Sequence, residues 1–269
     1  MRDFTFVFPS STRSISTSGL VCALNCKHCG GHYLQGMGMV AEIPQLLNAG
    51  KKSFLISGGL NGEAAVPWKD HAEFLLKIKR DYPVKYNFHV GPVVKSEDIP
   101  LLKELADIVS FDIVGDAEVM KEVYGEDLFR ASVKSFNLLI ENDIKIIPHI
   151  TIGLKEGVLS HEFKALELLE KAKMRKVVFL VFIPTVGTAY AKKSPPEIKD
   201  VELVFKEAGG FRKILGCMHP GGGYRRKLQN LALSSGFDAI VQPIKPTIDT
   251  AKGLNLNSTY FYECCGFLL

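Results

Sequence analysis

Short apolar or β-branched runs punctuate the chain eight times. They are STRSIST (11–17), SFLISGG (53–59), KYNFHVG (85–91), DIVSFDIVG (107–115), IKIIPHITIG (144–153), KVVFLVFIPT (176–185), RKILGCM (212–218) and FDAIVQP (237–243). Most are too continuously apolar to keep one face in water, the mark of strands in a parallel sheet covered on both sides. Between the runs, apolar residues recur at spacings of three and four, as in HAEFLLKIKRDY (71–82) and HEFKALELLEKAK (161–173). That period predicts helices with one buried face. Ser96 is placed to cap a helix, and Gly50 and Gly236 to end two others. Eight alternating units predict an α/β fold of the (β/α)8 TIM-barrel type, one domain over residues 1–245. Residues 246–269 form a short C-terminal tail, expected to fold over the barrel mouth. A doubly wound open sheet is the structural alternative, but it calls for a glycine-rich phosphate turn after strand one. This chain has cysteines there.

Composition narrows the class. At 269 residues, with 46% hydrophobic and 23% charged residues, the chain has ample material for a folded core. A formal charge of +4 is too small to argue for nucleic acid, though it suits an acidic protein partner. The N-terminal apolar run is short and broken by Pro9, unlike a signal peptide. No run reaches the length of a membrane span, so a cytoplasmic location is expected. There, clustered cysteines serve metals or redox chemistry more often than structural disulfides.

In a barrel of this kind chemistry gathers at the C-terminal ends of the strands, and candidate groups gather there too. SGLVCALNCKHCGGHYL follows strand one, and His89, Asp112, TIGLKE, PTVGT and CMHP follow later strands. Cys22, Cys26 and Cys29 have the spacing CxxxCxxC. Three thiolates on one compact loop can cap three corners of an iron–sulfur cubane and leave its fourth iron open. With His32 as a fourth ligand the same loop could instead close around zinc.

CxxxCxxC after the first strand of a β/α barrel resembles the signature of the radical S-adenosylmethionine (SAM) superfamily. The resemblance implies a [4Fe-4S] cluster on Cys22, Cys26 and Cys29 whose open iron chelates the methionine part of SAM. It further implies reductive cleavage of SAM to a 5′-deoxyadenosyl radical that removes a hydrogen from substrate. His28 stands where the family usually has an aromatic residue. Ser57, Gly58 and Gly59 resemble the strand-two motif that contacts the SAM amino group. Leu60 follows where Glu is common, and Glu63 comes later. The region around DIVSFDIVG and HITIGLKEG resembles biotin synthase, which implies Ser110 and Asp112 near the SAM ribose and Ile152 and Gly153 along the adenine. FIPTVGTAYAKKSPP resembles the loop after strand six, where Pro184 and Gly187 serve the turn as well as any ligand. His89 is assigned no chemistry.

Three further cysteines, Cys217, Cys264 and Cys265, come late in the chain. Cys217 ends strand seven, and a tail folded back could bring the CC pair beside it. A second iron–sulfur cluster is the leading reading, ahead of a thiol–disulfide pair or inert thiols. His219 is a fourth-ligand candidate, with Arg225, Arg226 and Ser258 as others. These positions differ from the auxiliary ligands of biotin synthase. They resemble biotin-synthase-related archaeal proteins that act in pairs as a lipoyl synthase. That resemblance implies a sulfur-inserting enzyme acting on octanoyl chains of a lipoyl domain or other acyl-carrying protein. A second radical SAM protein and an electron donor such as ferredoxin would be partners, with no nucleic acid and no membrane. The alternatives are a mutase or metallocofactor maturase of the same subfamily, or a non-catalytic iron–sulfur or zinc scaffold.

Overall fold

The computed structural model describes residues 2–268. In chain order the elements are β1 Asp3–Val7, β2 Thr12–Ser16, β3 Gly38–Met39, α1 Ile43–Asn48, β4 Ser53–Ser57, α2 Ala72–Asp81, β5 Lys85–His89, α3 Ile99–Leu105 and β6 Ile108–Asp112. They continue with α4 Ala117–Tyr124, α5 Phe129–Glu141, β7 Ile146–Ile152, α6 Glu162–Lys171, β8 Lys176–Val181, α7 Ile198–Glu207, β9 Arg212–Leu215, α8 Gly222–Ser234, β10 Ala239–Val241, α9 Lys245–Gly253 and β11 Asn257–Phe261. All eight predicted strands are present, as β2 and β4 to β10. Gly50 and Gly236 end their helices with φ of 86° and 75°, a backbone region that glycine enters without penalty. Ser96 makes no side-chain cap and instead opens a 3-10 turn before α3.

The strands form a single parallel sheet in the order β11-β1-β10-β9-β8-β7-β6-β5-β4-β2-β3, curled into a half-barrel. A closed eight-stranded barrel would pair β10 with β2. Here β1 takes that place beside β10, and β11 takes its other side. The cause is DFTFV at the N-terminus, whose Phe4 and Phe6 are fully buried against the helices. Only residues 8–11 separate β1 from β2, so the chain itself ties the two flanks of the sheet together.

Side chains alternate across this sheet. Tyr86 and Phe88 of β5, and Val109 and Phe111 of β6, enter the main core beneath the helices. Their neighbours face the hollow inside. Ile108, Ile147, Val178, Ile214 and Ala239 form an apolar layer there, while His89 and Asp112 remain partly open to water.

The tail does not fold over the mouth. The backbone N–H of Cys264 donates to Thr12 Oγ1 at 2.7 Å, and Glu263 pairs with Lys85. Cys265 joins the apolar layer around Ile108 and Ile147. Thr12, Lys85 and Ile108 begin their strands, so residues after β11 plug the half-barrel from its N-terminal end. The apolar Cys265, Phe267 and Leu268 have a greasy inner layer to bury against there.

Gly266 lies flat against Asn87, where an added Cβ would come within 2.6 Å of the amide nitrogen. Gly266→Val is expected to dislodge the plug at a cost of roughly 1–3 kcal/mol. Chemical denaturation should show the loss, and limited proteolysis should cut the variant after β11 before it cuts the parent.

Candidate functional site

The cysteine loop begins directly beyond β2 and is pinned to the end of β4. Thr17 N donates to Ser57 O at 2.8 Å, Gly59 N to Ser18 Oγ at 2.7 Å, and Ala23 N to Leu60 O at 2.7 Å. Gly59 has no room for a side chain, since a Cβ would lie 2.1 Å from Val21 O and 2.7 Å from Cys22 Cα. The glycine lets the loop lie against the strand end. Leu60 N in turn donates to Cys22 Sγ at 3.4 Å. On its far side the loop is held by Lys27 N to Val123 O and Tyr190 N to Lys27 O. Gly30 and Gly31, at φ of 48° and 72°, turn the chain immediately after Cys29.

Cys22, Cys26 and Cys29 therefore line one pocket with His28, Ser57, Gly58, Gly59, His89, Asp112 and Tyr124. Cys29 is held below the ordinary thiol range, first by a hydrogen bond from Cys26 and then by His28, despite burial that opposes ionisation. Cys26 is correspondingly raised by that bond, by burial and by the two neighbouring sulfurs. Three thiols lining one pocket, beside a strand end with no side chain in the way, have the donor chemistry of a [4Fe-4S] site with one open corner, although among the described residues no three ligating side chains are drawn together as for a single metal ion.

His28 lines the pocket with its ring 6.0 Å from Tyr124, and its Nδ1 is buried without a partner. Asp112 Oδ2 is 3.0 Å from His89 Nε2. Each side chain keeps about a third of its surface open to water, 32% for His89 and 38% for Asp112, although protein encloses both. They line the hollow. Burial pushes the Asp112 carboxyl up, but the charge and hydrogen bond of His89 outweigh it and hold the group at about 2. His89 is raised, burial being outweighed by Asp112, and burial drives nearby His149 down to about 4.

Other expected residues are placed elsewhere. Ser110 is buried and its hydroxyl donates to Asn87 Oδ1 at 3.0 Å. Ile152 is fully buried in the helix-side core. Gly153 is covered by Pro196, whose ring a Cβ would meet at 2.9 Å, and its N–H donates to Glu162 Oε1. None of the three lines the cysteine pocket. Glu63 is exposed and paired with Lys95, and His32 is exposed and edge-on to Tyr33. Tyr33 and Tyr124 line the pocket without having been singled out in the sequence. Tyr33 is fixed by a 2.8 Å hydrogen bond to Thr185 of the loop after β8. A phenol in a cysteine-adjacent GGHY turn carries no motif of its own.

The late cysteines share the interior. Cys217 is accessible to water yet surrounded by protein, and burial followed by the charge of Cys264 pushes its thiol up to about 11. Cys264 is held at about 7, first by a hydrogen bond from Cys265. Asn87 Nδ2 also donates to its Sγ at 3.4 Å. Cys265 is raised well above the thiol range by Cys264 and by its apolar surroundings. His219 is buried with its Nε2 unpartnered, as are Arg225 Nε and Ser258 Oγ, while Arg226 is exposed. Among the described residues, no helix is long and apolar enough to cross a membrane.

Gly59→Ala should push the cysteine loop off the strand end while leaving the fold intact. Circular dichroism is expected to match the parent, and iron bound per chain after anaerobic reconstitution should fall several-fold. The His89–Asp112 pair also predicts a pH window. Asp112 is depressed from 3.8, so its share of stability is present above about pH 4 and is lost toward pH 2. His89 is raised from 6.5, so its share is complete below that value and is lost as pH rises through the folded value. The difference in melting temperature between the parent and Asp112→Asn should be greatest between those limits and shrink on either side.

No family model and no curated protein matches this sequence. Solved structures do. The chain is similar to methylornithine synthase (PylB) with a TM-score of 0.65 at 12% identity, over 96% of this chain and 84% of that one. It is similar to SuiB of Streptococcus suis bound to its precursor peptide SuiA, with a TM-score of 0.57 at 12% identity, over 97% of this chain and 60% of SuiB. It is also similar to anSMEcpe with bound AdoMet, with a TM-score of 0.51 at 15% identity, over 76% of this chain and 59% of that one. The chain thus spans most of the synthase but only about three-fifths of the other two. At these identities the likeness is one of fold, and the chain has the fold of these three proteins.

Proposed function

We propose that this chain is a radical SAM enzyme that inserts sulfur. The observation that carries the reading is the convergence of Cys22, Cys26 and Cys29 on a pocket whose inner wall, His89, also feels the charge of Cys264. Cys22, Cys26 and Cys29 would hold the [4Fe-4S] cluster. Ser57, Gly58 and Gly59 would border the methionine part of SAM and Asp112 its ribose. When bound, cluster and SAM together supply a 5′-deoxyadenosyl radical. The chain's own part is to orient and enclose. Asp112 stays ionised to accept hydrogen bonds, and the tail closes the far end of the hollow against solvent.

In this reading Cys217, Cys264 and Cys265 hold a second iron–sulfur cluster that supplies sulfur, with His219 as a fourth ligand. Cys217, Cys264 and Cys265 are near enough to feel one another's charge, which suits that role, although among the described residues they are not drawn together with a fourth ligand. Cys265 would have to turn out of its apolar layer to join them. The substrate class is an octanoyl chain on an acidic lipoyl domain, which a net charge of +4 favours. Ferredoxin would supply electrons and a second radical SAM protein would share the work. A carbon-skeleton mutase is the second reading, favoured by a likeness to methylornithine synthase that spans most of both chains.

Mass spectrometry of an octanoylated lipoyl domain, incubated anaerobically with SAM, reductant and this protein, tests the assignment. The domain should gain sulfur, alone or with a partner enzyme added, and no gain in either case removes the sulfur-inserting reading. Reconstituted parent should bind about eight irons and Cys264→Ala/Cys265→Ala about four, two four-iron clusters against one. Four irons in the parent would leave the mutase.

A further inference from the structure

Behind the pocket, β5 and β6 place His89 and Asp112 against each other on the inner face of the sheet, beside Asn87, Ser110 and His149. We propose that His89 is a positioning residue for Asp112, holding the carboxylate in one orientation so that its free oxygen faces the nucleoside end of SAM. The inference rests on the reading that Asp112 contacts that nucleoside.

The geometry carries it. His89 Nε2 sits 3.0 Å from Asp112 Oδ2, occupying one oxygen and leaving Oδ1 for the pocket that both residues line. The backbone of Asp112 is in a strand end, and no other side-chain hydrogen bond reaches its carboxylate among the described residues. The groups that face the pair are few. His28 approaches Asp112 from the cysteine loop, Tyr124 from α4 and His149 from β7, while Cys264 of the tail faces His89. His149 is kept neutral by burial at ordinary pH, so the imidazolium of His89 is the strongest opposing charge on the carboxylate. Without it, the opposition to burial weakens and Asp112 moves in the direction of its protonated form, a weaker acceptor for ribose hydroxyls.

Binding of SAM to the anaerobically reconstituted holoenzyme, measured by equilibrium dialysis at pH 6 and pH 8 alongside iron content, tests this. His89→Leu should weaken binding by about tenfold or more at pH 8, and the loss should deepen rather than shrink at pH 6, since Asp112 becomes easier to protonate. His89→Gln, which keeps a donor, should stay within about threefold at pH 8. Asp112→Asn should weaken binding with no added loss at pH 6, and iron content should be unchanged throughout. If Asp112→Asn weakens binding but His89→Leu does not, or if Gln fails as badly as Leu, the positioning role is overturned. If Asp112→Asn binds as the parent does, the nucleoside contact itself falls, and the inference falls with it.

Discussion

A strand buried on both faces must still send successive side chains in opposite directions, and this constraint organises the molecule. One set of side chains on β5 and β6, Tyr86, Phe88, Val109 and Phe111, seals the sheet to its helices. That packing fixes the register, since a slip by one residue would exchange the two faces. The other set then points inward whatever its chemistry, and His89 and Asp112 meet because β5 and β6 are neighbours. The polar residues of the interior are thus placed by apolar packing on the opposite face of the sheet.

The two ends of the half-barrel are used differently. At the C-terminal ends of the strands, backbone hydrogen bonds from Thr17, Gly59 and Ala23 anchor a loop with three thiols. At the other end, a segment far away in sequence enters and fills an apolar layer with Cys265 and its neighbours. Asn87 links this plug to the sheet, accepting from Ser110 and donating to Cys264. A fully buried amide with both ends engaged is a rigid joint, because breaking either bond strands a polar group away from water.

Strands, helices and the cysteine loop were legible along the chain because each depends on local chemistry. Apolar runs, a period of three to four, and thiols at fixed spacing do not need distant residues to be recognised. The pocket residues Ser57, Gly58, Gly59 and Asp112 were legible for a related reason, since they end strands next to the loop. Which strand-end residues line the pocket was not legible, because parity turns Ile152 to the helix side while Asn87 covers Ser110 and Pro196 covers Gly153. Strand β1 and the edge strand β11 beyond it escaped as well. DFTFV reads as a short apolar run, and NSTYF is largely exposed with little pattern to mark it.

By itself the sequence determined a parallel α/β chain with a three-cysteine loop after an early strand, because burial and ligand spacing are encoded within a few residues. Only the tertiary structure decided that β1 stands beside β10, that the tail enters from the N-terminal end, and that His89 faces Asp112. These outcomes depend on which distant surfaces are left unburied once the local elements have formed, and no local pattern carries that information.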